Sequence, residues 1–76
     1  MTPAAPVLLY TRTGCPFCAA RRAELAARGM PFREIDVSAQ PEAIPELLKL
    51  TRGRRVVPVT VDGARIEIAP DGGSPF

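Results

Sequence analysis

Apolar and polar positions divide this chain into short extended runs and two stretches with a helical period. Residues 7–10, VLLY, are a compact apolar run with turn residues behind them, the pattern of a buried strand. From Pro16 onward Cys18, Ala19, Arg22, Ala23, Leu25, Ala26 and Met30 recur at three- and four-residue steps, with Arg21, Glu24 and Arg28 opposite. That period predicts an amphipathic helix opened by a proline near its first position and stopped at Gly29. FREIDV, residues 32–37, alternates imperfectly, but its length and flanking turn residues favour a strand. Ile44, Leu47, Leu48 and Thr51 share one face of a second helix of about three turns, with Ser38 as its expected cap. Pro45 sits badly inside a helix, so an alternative start lies there. VVPVTVDGARIEIA reads as two β-branched runs joined at Asp62-Gly63, a strong hairpin signal.

The order strand, helix, strand, helix, strand, strand predicts an α/β fold. A strand-helix-strand start implies a right-handed crossover and a parallel pair, and the hairpin adds an antiparallel edge, giving a mixed four-stranded sheet with helices packed on it. No internal repeat or boundary interrupts residues 1–76, so one domain is expected, with a core at about 6–69 and an aperiodic tail, PDGGSPF, at 70–76. A domain of 76 residues buries only about 60% of the surface its unfolded chain exposes, so its core is thin.

Composition narrows the function classes. Apolar residues are 46% and charged residues 24% of the chain, ordinary for a globular domain. The longest apolar run, residues 6–10, is too short to cross a bilayer, and residues 1–6 have neither the basic start nor the apolar region of a secretory leader. No membrane association is expected, and the cytoplasm is the expected address. Net charge is +2, and nine of the ten basic residues are arginines interspersed with acids, so no basic stripe points to nucleic acid.

The chemistry concentrates in TRTGCPFCAA, residues 11–20, which holds both cysteines of a chain without histidine. A structural disulfide between Cys15 and Cys18 would close a loop of four residues, where the entropy removed from the unfolded chain is smallest. A structural zinc site wants four Cys or His ligands, and one chain offers two. A redox pair uses every local feature. Cys15 falls at the start of the first helix, where unpaired N–H groups and the helix dipole favour a thiolate, and Cys18 lies one turn on. Pro16 stiffens the first turn without removing a needed donor. Lowering a thiol from pKa about 8.5 to about 7 raises its thiolate fraction at pH 7 roughly fifteenfold, but lost nucleophilicity reduces the gain in attack to about threefold. The larger benefit is that Cys15 becomes a better leaving group in disulfide exchange.

TRTGCPFC behind a buried strand, followed much later by VVP and a Gly-Gly, resembles the glutaredoxin family of the thioredoxin fold, from about residue 7 to residue 73. The Ser38-to-Thr51 helix, GRRVVPV and the DGG ending make the chain also similar to the small bacterial Uxx-star group of glutaredoxin-like proteins. The resemblance implies a thiol–disulfide oxidoreductase with Cys15 as exposed nucleophile and Cys18 as resolving thiol. It implies that Arg12 meets the carboxylate of a glutathione-like thiol, that Phe17 flanks the thiol, and that Val57–Pro58 is a cis step whose Val57 backbone pairs with an extended substrate. Arg55, or Arg54, would meet the other end of that ligand, and Gly72-Gly73 would let a ligand carboxylate approach bare amides. The plain alternatives are solvated arginines, an apolar residue on an exposed turn, and a flexible tail.

By the same resemblance no cofactor stays bound: glutathione or another low-molecular-weight thiol, such as mycothiol or bacillithiol, serves as co-substrate, or a thioredoxin-reductase-type enzyme supplies electrons. Partners are disulfide-containing proteins. A carrier of an iron–sulfur cluster bridged between subunits, or a non-catalytic redox or metal-binding module, is the competing class, and Pro16 argues against the cluster. Three departures from the family stand out. The gap between Asp62-Gly63 and Gly72-Gly73 is long, Ser74-Pro75 replaces an acidic residue, and the family's last helix is missing. The sheet face left short of cover implies either a homodimer or a tail folded over it.

Overall fold

The computed structural model describes residues 6–76. Residues 1–5, on which most of the leader argument rests, lie outside the described residues. Strand β1 (Val7–Thr11) runs into helix α1 (Pro16–Ala27), strand β2 (Phe32–Asp36), a 3-10 turn (Pro41–Ala43), helix α2 (Ile44–Thr51), and strands β3 (Val56–Val57), β4 (Val59–Asp62), β5 (Arg65–Ile68) and β6 (Ser74–Pro75). The main sheet has the order β2-β1-β4-β5, with β1 and β2 parallel and the other pairs antiparallel. This is the mixed four-stranded α/β sheet the pattern predicts. No helix among the described residues is long and apolar enough to cross a membrane.

Proline explains one departure from the expected strands. VVPVTV does not make one strand, because Pro58 lacks the N–H that a continuous ladder needs. The run splits into β3 before the proline and β4 after it. Strand β4 joins the main sheet, while β3 pairs with β6 as a separate two-stranded sheet. The hairpin turn also falls one residue later than expected: Asp62 pairs with Arg65, leaving Gly63-Ala64 as the loop, with Gly63 at φ +61°.

Register fixes the two faces of the sheet. Glu34, Leu9, Thr60 and Glu67 stand abreast on one, and Ile35, Tyr10, Val59 and Ile68 on the other. The second face carries the larger core, where Tyr10, Val37, Leu47, Val57 and Val59 pack with both cysteines. Helix α2 seats Leu47 fully buried in that core. The first face, against α1, holds a smaller cluster of Val7, Leu9 and Leu25.

The rotation of α1 differs from the periodicity. Arg21, expected outside, turns inward with its side chain only 10% exposed, while Ala19, Ala23 and Ala26 face solvent. Its guanidinium donates to Thr60 Oγ1 at 3.2 Å, Glu24 at 2.9 Å and Glu67 at 2.8 Å. Alanines bury too little apolar area to set a helix's rotation, and the polar side chains of β4 and β5 recruit Arg21 instead. Beside this network a groove of about 320 Å³ is lined by Arg28, Asp62, Arg65 and Asp71 among others, so this side of the sheet is charged. The tail folds along β3.

Ser38 does not cap a helix. Its backbone N–H donates to Asp36 Oδ1 at 2.9 Å, its hydroxyl also donates to that carboxylate, and it accepts the Thr13 N–H at 3.1 Å. An Asp two residues upstream offered it a tighter turn than a helix end would. The 3-10 turn starts instead after Gln40 without a side-chain cap, and Pro45 lies in the first turn of α2, as the alternative start requires.

Candidate active site

Cys15 is the N-cap of α1. Its backbone is extended, at φ −90° and ψ 111°, and Pro16 follows as the first helical residue. That geometry turns the thiol back over the first turn, where Sγ accepts the Cys18 N–H at 3.2 Å. A sulfur here occupies the place that a Ser or Asp oxygen takes in an ordinary cap, and the unpaired N–H groups favour it as an anion. Both cysteines are free thiols.

Opposite forces act on the two sulfurs. Burial pushes the Cys15 thiol up. Hydrogen bonds from the Cys18 thiol, the Ser74 hydroxyl and the N–H groups of Cys18 and Phe17 outweigh it and hold Cys15 below the ordinary thiol range. Cys18 is 0% exposed, and burial, followed by the neighbouring Cys15, pushes it up to about 12. One proton shared by the pair therefore rests on Cys18.

The sulfur of Cys15 is not the exposed group the resemblance implies. Cys15 is 5% exposed, with Sγ 4.0 Å from the Val57 carbonyl oxygen on one side. Ser74 closes over it from β6. The physical cause is the tail, which lies as a strand along β3 and covers the head of the helix. Pro75 has no N–H, so its pairing with Val56 cannot be the one that exchanges two bonds. Val57 and Ser74 make that exchange, and the Val57 N–H and C=O are both taken.

The flanking arginines turn to the same tail. Arg12 Nη1 donates to the Pro75 carbonyl at 2.5 Å, and Arg55 Nε donates to the Phe76 carbonyl at 2.8 Å. The Arg55 guanidinium also lies 4.8 Å over the Phe76 ring. Of the two arginines, Arg55 contacts the tail, and the Arg54 carbonyl accepts from Thr51 Oγ1 at 2.7 Å. The Val57–Pro58 bond is cis.

Gly72 and Gly73 are needed for close approach, but the approaching groups belong to the protein. Gly72 has φ +112°, and a Cβ there would stand 2.9 Å from Cε1 of Phe17, whose ring covers it. A Cβ on Gly73 would run into the Val57 carbonyl and come within 2.7 Å of Val56 Cγ2. Phe17 is 40% exposed, and it packs on the Gly72 backbone rather than standing free.

An open cavity of about 640 Å³ adjoins the other side of the dithiol, lined by Arg12, Thr13, Gly14, Cys15, Pro16 and Arg22 among others. Periodicity puts Arg22 on the inner face of α1, but it is exposed, and it grips both oxygens of Glu34 at 2.5 and 2.6 Å. Glu34 also accepts from the buried Thr11 hydroxyl at 2.9 Å, and Arg22 first of all holds its carboxyl below the usual range. Ser74 and Phe76 were missed as well. Their available signal was a proline one residue after Ser74, the mark of an edge strand.

A dithiol at the head of α1, a cis-proline loop across from it and the sheet order β2-β1-β4-β5 define a thioredoxin-like fold. A family model described as Glutaredoxin matches residues 7–66. Glutaredoxin 3 of Escherichia coli (strain K12) is 32% identical over 63 residues, covering 82% of this chain and 75% of that protein. The N-acetyl-S-hydroxy-L-cysteine reductase of Bacillus subtilis (strain 168) is 32% identical over 63 residues, 83% of this chain and 67% of its own length. The Gene 56 protein of Mycobacterium phage L5 is 38% identical over 58 residues, 76% of this chain. The match spans only 56% of the phage protein's length. No solved structure matches the chain. The chain belongs to the glutaredoxin family.

Proposed function

We propose that the protein is a glutaredoxin-like dithiol–disulfide oxidoreductase that reduces protein disulfides or mixed disulfides with low-molecular-weight thiols. The observation that carries this is the asymmetry of the pair, a hydrogen-bonded Cys15 held below the ordinary thiol range beside a buried Cys18 pushed up to about 12. The Cys15 thiolate attacks one sulfur of the substrate disulfide, breaking it, and the departing thiolate takes a proton from water. Cys18 then loses its proton, attacks Cys15 Sγ and releases the second substrate thiolate. Two electrons pass to the substrate, and the Cys15–Cys18 disulfide remains.

Timing follows from the same asymmetry. A thiol with pKa about 12 is only about 0.001% ionised at pH 7, so Cys18 stays silent while Cys15 carries the negative charge. Once Cys15 is in the mixed disulfide its charge is gone, one cause of the high Cys18 value disappears, and the resolving step becomes accessible. Glutathione, another small thiol or a thioredoxin-reductase-type enzyme would return the electrons. Small carboxylate-bearing sulfur compounds suit the cavity that Arg12 and Arg22 border, and the substrate in the Bacillus relative's name, an S-hydroxy cysteine derivative, carries such a carboxylate. We place the activity in the bacterial cytoplasm, where reduced thiols persist.

The test is a disulfide-reductase assay on Cys15→Ser and Cys18→Ser proteins. The first should be inactive toward every disulfide. The second should keep activity toward mixed disulfides of small thiols and accumulate a one-to-one adduct at Cys15. Equal activity in the two variants would remove the proposal.

A further inference from the structure

Four groups that a peptide-like thiol would need are already engaged by this chain's own last residues. The Val57 N–H and C=O are paired with Ser74, Arg12 holds the Pro75 carbonyl, and Arg55 holds the Phe76 carbonyl and stacks on its ring. Phe76 also packs against the core that contains both cysteines. These contacts are spread over three consecutive residues and reach three separate elements, the loop after β1, the approach to β3, and β3 itself. Gly73 lets them lie this close to β3, because any side chain there would strike the Val57 carbonyl.

We propose that residues 74–76 are an internal strand that competes with substrate for the β3 edge, and so determine which disulfides this protein reads. A disulfide with a peptide backbone must lift the strand before it can pair with Val57. A compact disulfide without a backbone has no use for that edge and reaches the sulfur from the side of the 640 Å³ cavity, leaving the strand in place. The tail thus acts as a specificity element at the site proposed above, and this inference rests on that proposal. It costs peptide-like substrates a local opening of a short, two-residue strand pair, the kind of low-energy fluctuation small proteins undergo without unfolding. Substrate pairing gives back the bonds that opening breaks.

Single-turnover oxidation of the reduced protein separates the ideas. The probes are glutathione disulfide, which carries a peptide backbone, and bis(2-hydroxyethyl) disulfide, which does not. Phe76→Ala removes the ring that stacks on Arg55 and should raise the rate with glutathione disulfide by about fivefold, from the size of such a contact. The rate with the hydroxyethyl disulfide should stay within about twofold. Equal acceleration of both probes, or of neither, overturns the specificity role. Failure of parent and variant to react with either probe marks instead the failure of the oxidoreductase proposal.

A measurement on the unaltered chain stands independently of turnover and of any loss of fold in the variant. S-methylglutathione cannot exchange its sulfur. At saturation it should abolish the hydrogen-exchange protection of the Ser74 amide, which donates to Val57 in the free protein. A Ser74 amide that stays equally protected at up to 50 mM of this probe, whether the probe binds or not, overturns the competition.

Discussion

The buried Cys18 thiol makes the reduced protein lose stability in mild alkali, and the size of that loss can be worked out. In the unfolded chain Cys18 ionises near the ordinary value of about 8.5, whereas in the folded protein it is pushed up to about 12. A raised folded pKa means that the stabilisation is fully present below the unfolded value and is lost as pH rises toward the folded one. Between pH 8.5 and 10 the unfolded state sheds the proton and the folded state keeps it, a loss of about 2 kcal/mol, or about 1.4 per pH unit. Cys15 acts with the opposite sign. Its lowered folded pKa adds stability as pH rises toward about 8.5 and then nothing more, because above that value both states are ionised. Stability of the reduced protein should therefore peak near pH 8 to 9 as far as these thiols decide it. Above pH 10 the Tyr10 phenol, itself raised by burial and by Glu46, starts to contribute a further loss, so the window ends there. Urea unfolding in the presence of a phosphine reductant, at half-unit steps from pH 7 to 10, measures the curve, with Cys18→Ala as the reference from which common surface charges cancel. The parent-minus-variant difference should fall by about 2 kcal/mol between pH 8.5 and 10. A flat difference across that window refutes the claim that Cys18 is held as a buried thiol.

Three further outcomes follow from the packing and the charges. Leu47, fully buried in the larger core, should cost about 2–5 kcal/mol on Leu47→Ala, read by urea unfolding, and the upper end would leave so small a domain barely folded. Gly73→Ala should displace β6, since the new Cβ meets the Val57 carbonyl, costing about 1–3 kcal/mol and exposing the Ser74 amide to exchange. Glu34 is held below the usual carboxylate range by Arg22, so its stabilisation is present above about pH 4.3 and lost as pH falls through the lowered folded value. Arg22→Gln should shift that carboxyl back up, seen as a rise in the Glu34 side-chain pKa by NMR.

The elements whose signal is local were legible in the sequence. VLLY, the proline-led helix from Pro16 and the two runs around Asp62-Gly63 each state their structure within a few residues, and their order implies the sheet. The dithiol was legible for the same reason, since Cys15, Pro16 and Cys18 belong to one helical turn. What the pattern missed depended on partners far along the chain. The rotation of α1 is set by Arg21 reaching Glu67 and Thr60, and no period within the helix contains that information. The tail was read as aperiodic because two paired residues are too few to show alternation. Its structure comes from β3, which Pro58 detaches from the main sheet and leaves with an edge to be filled. That edge also explains why Cys15 is covered although its position on the helix is the one expected.

Site-resolved alkylation of the reduced protein across pH 5 to 10.5, with iodoacetamide and peptide mass mapping, tests the central claim most directly. Cys15 should react with a midpoint below that of a thiol in the denatured chain, while Cys18 should stay unmodified to beyond pH 10. If both sulfurs titrate together near 8.5, the value of an unperturbed thiol, the division of labour between them is contradicted.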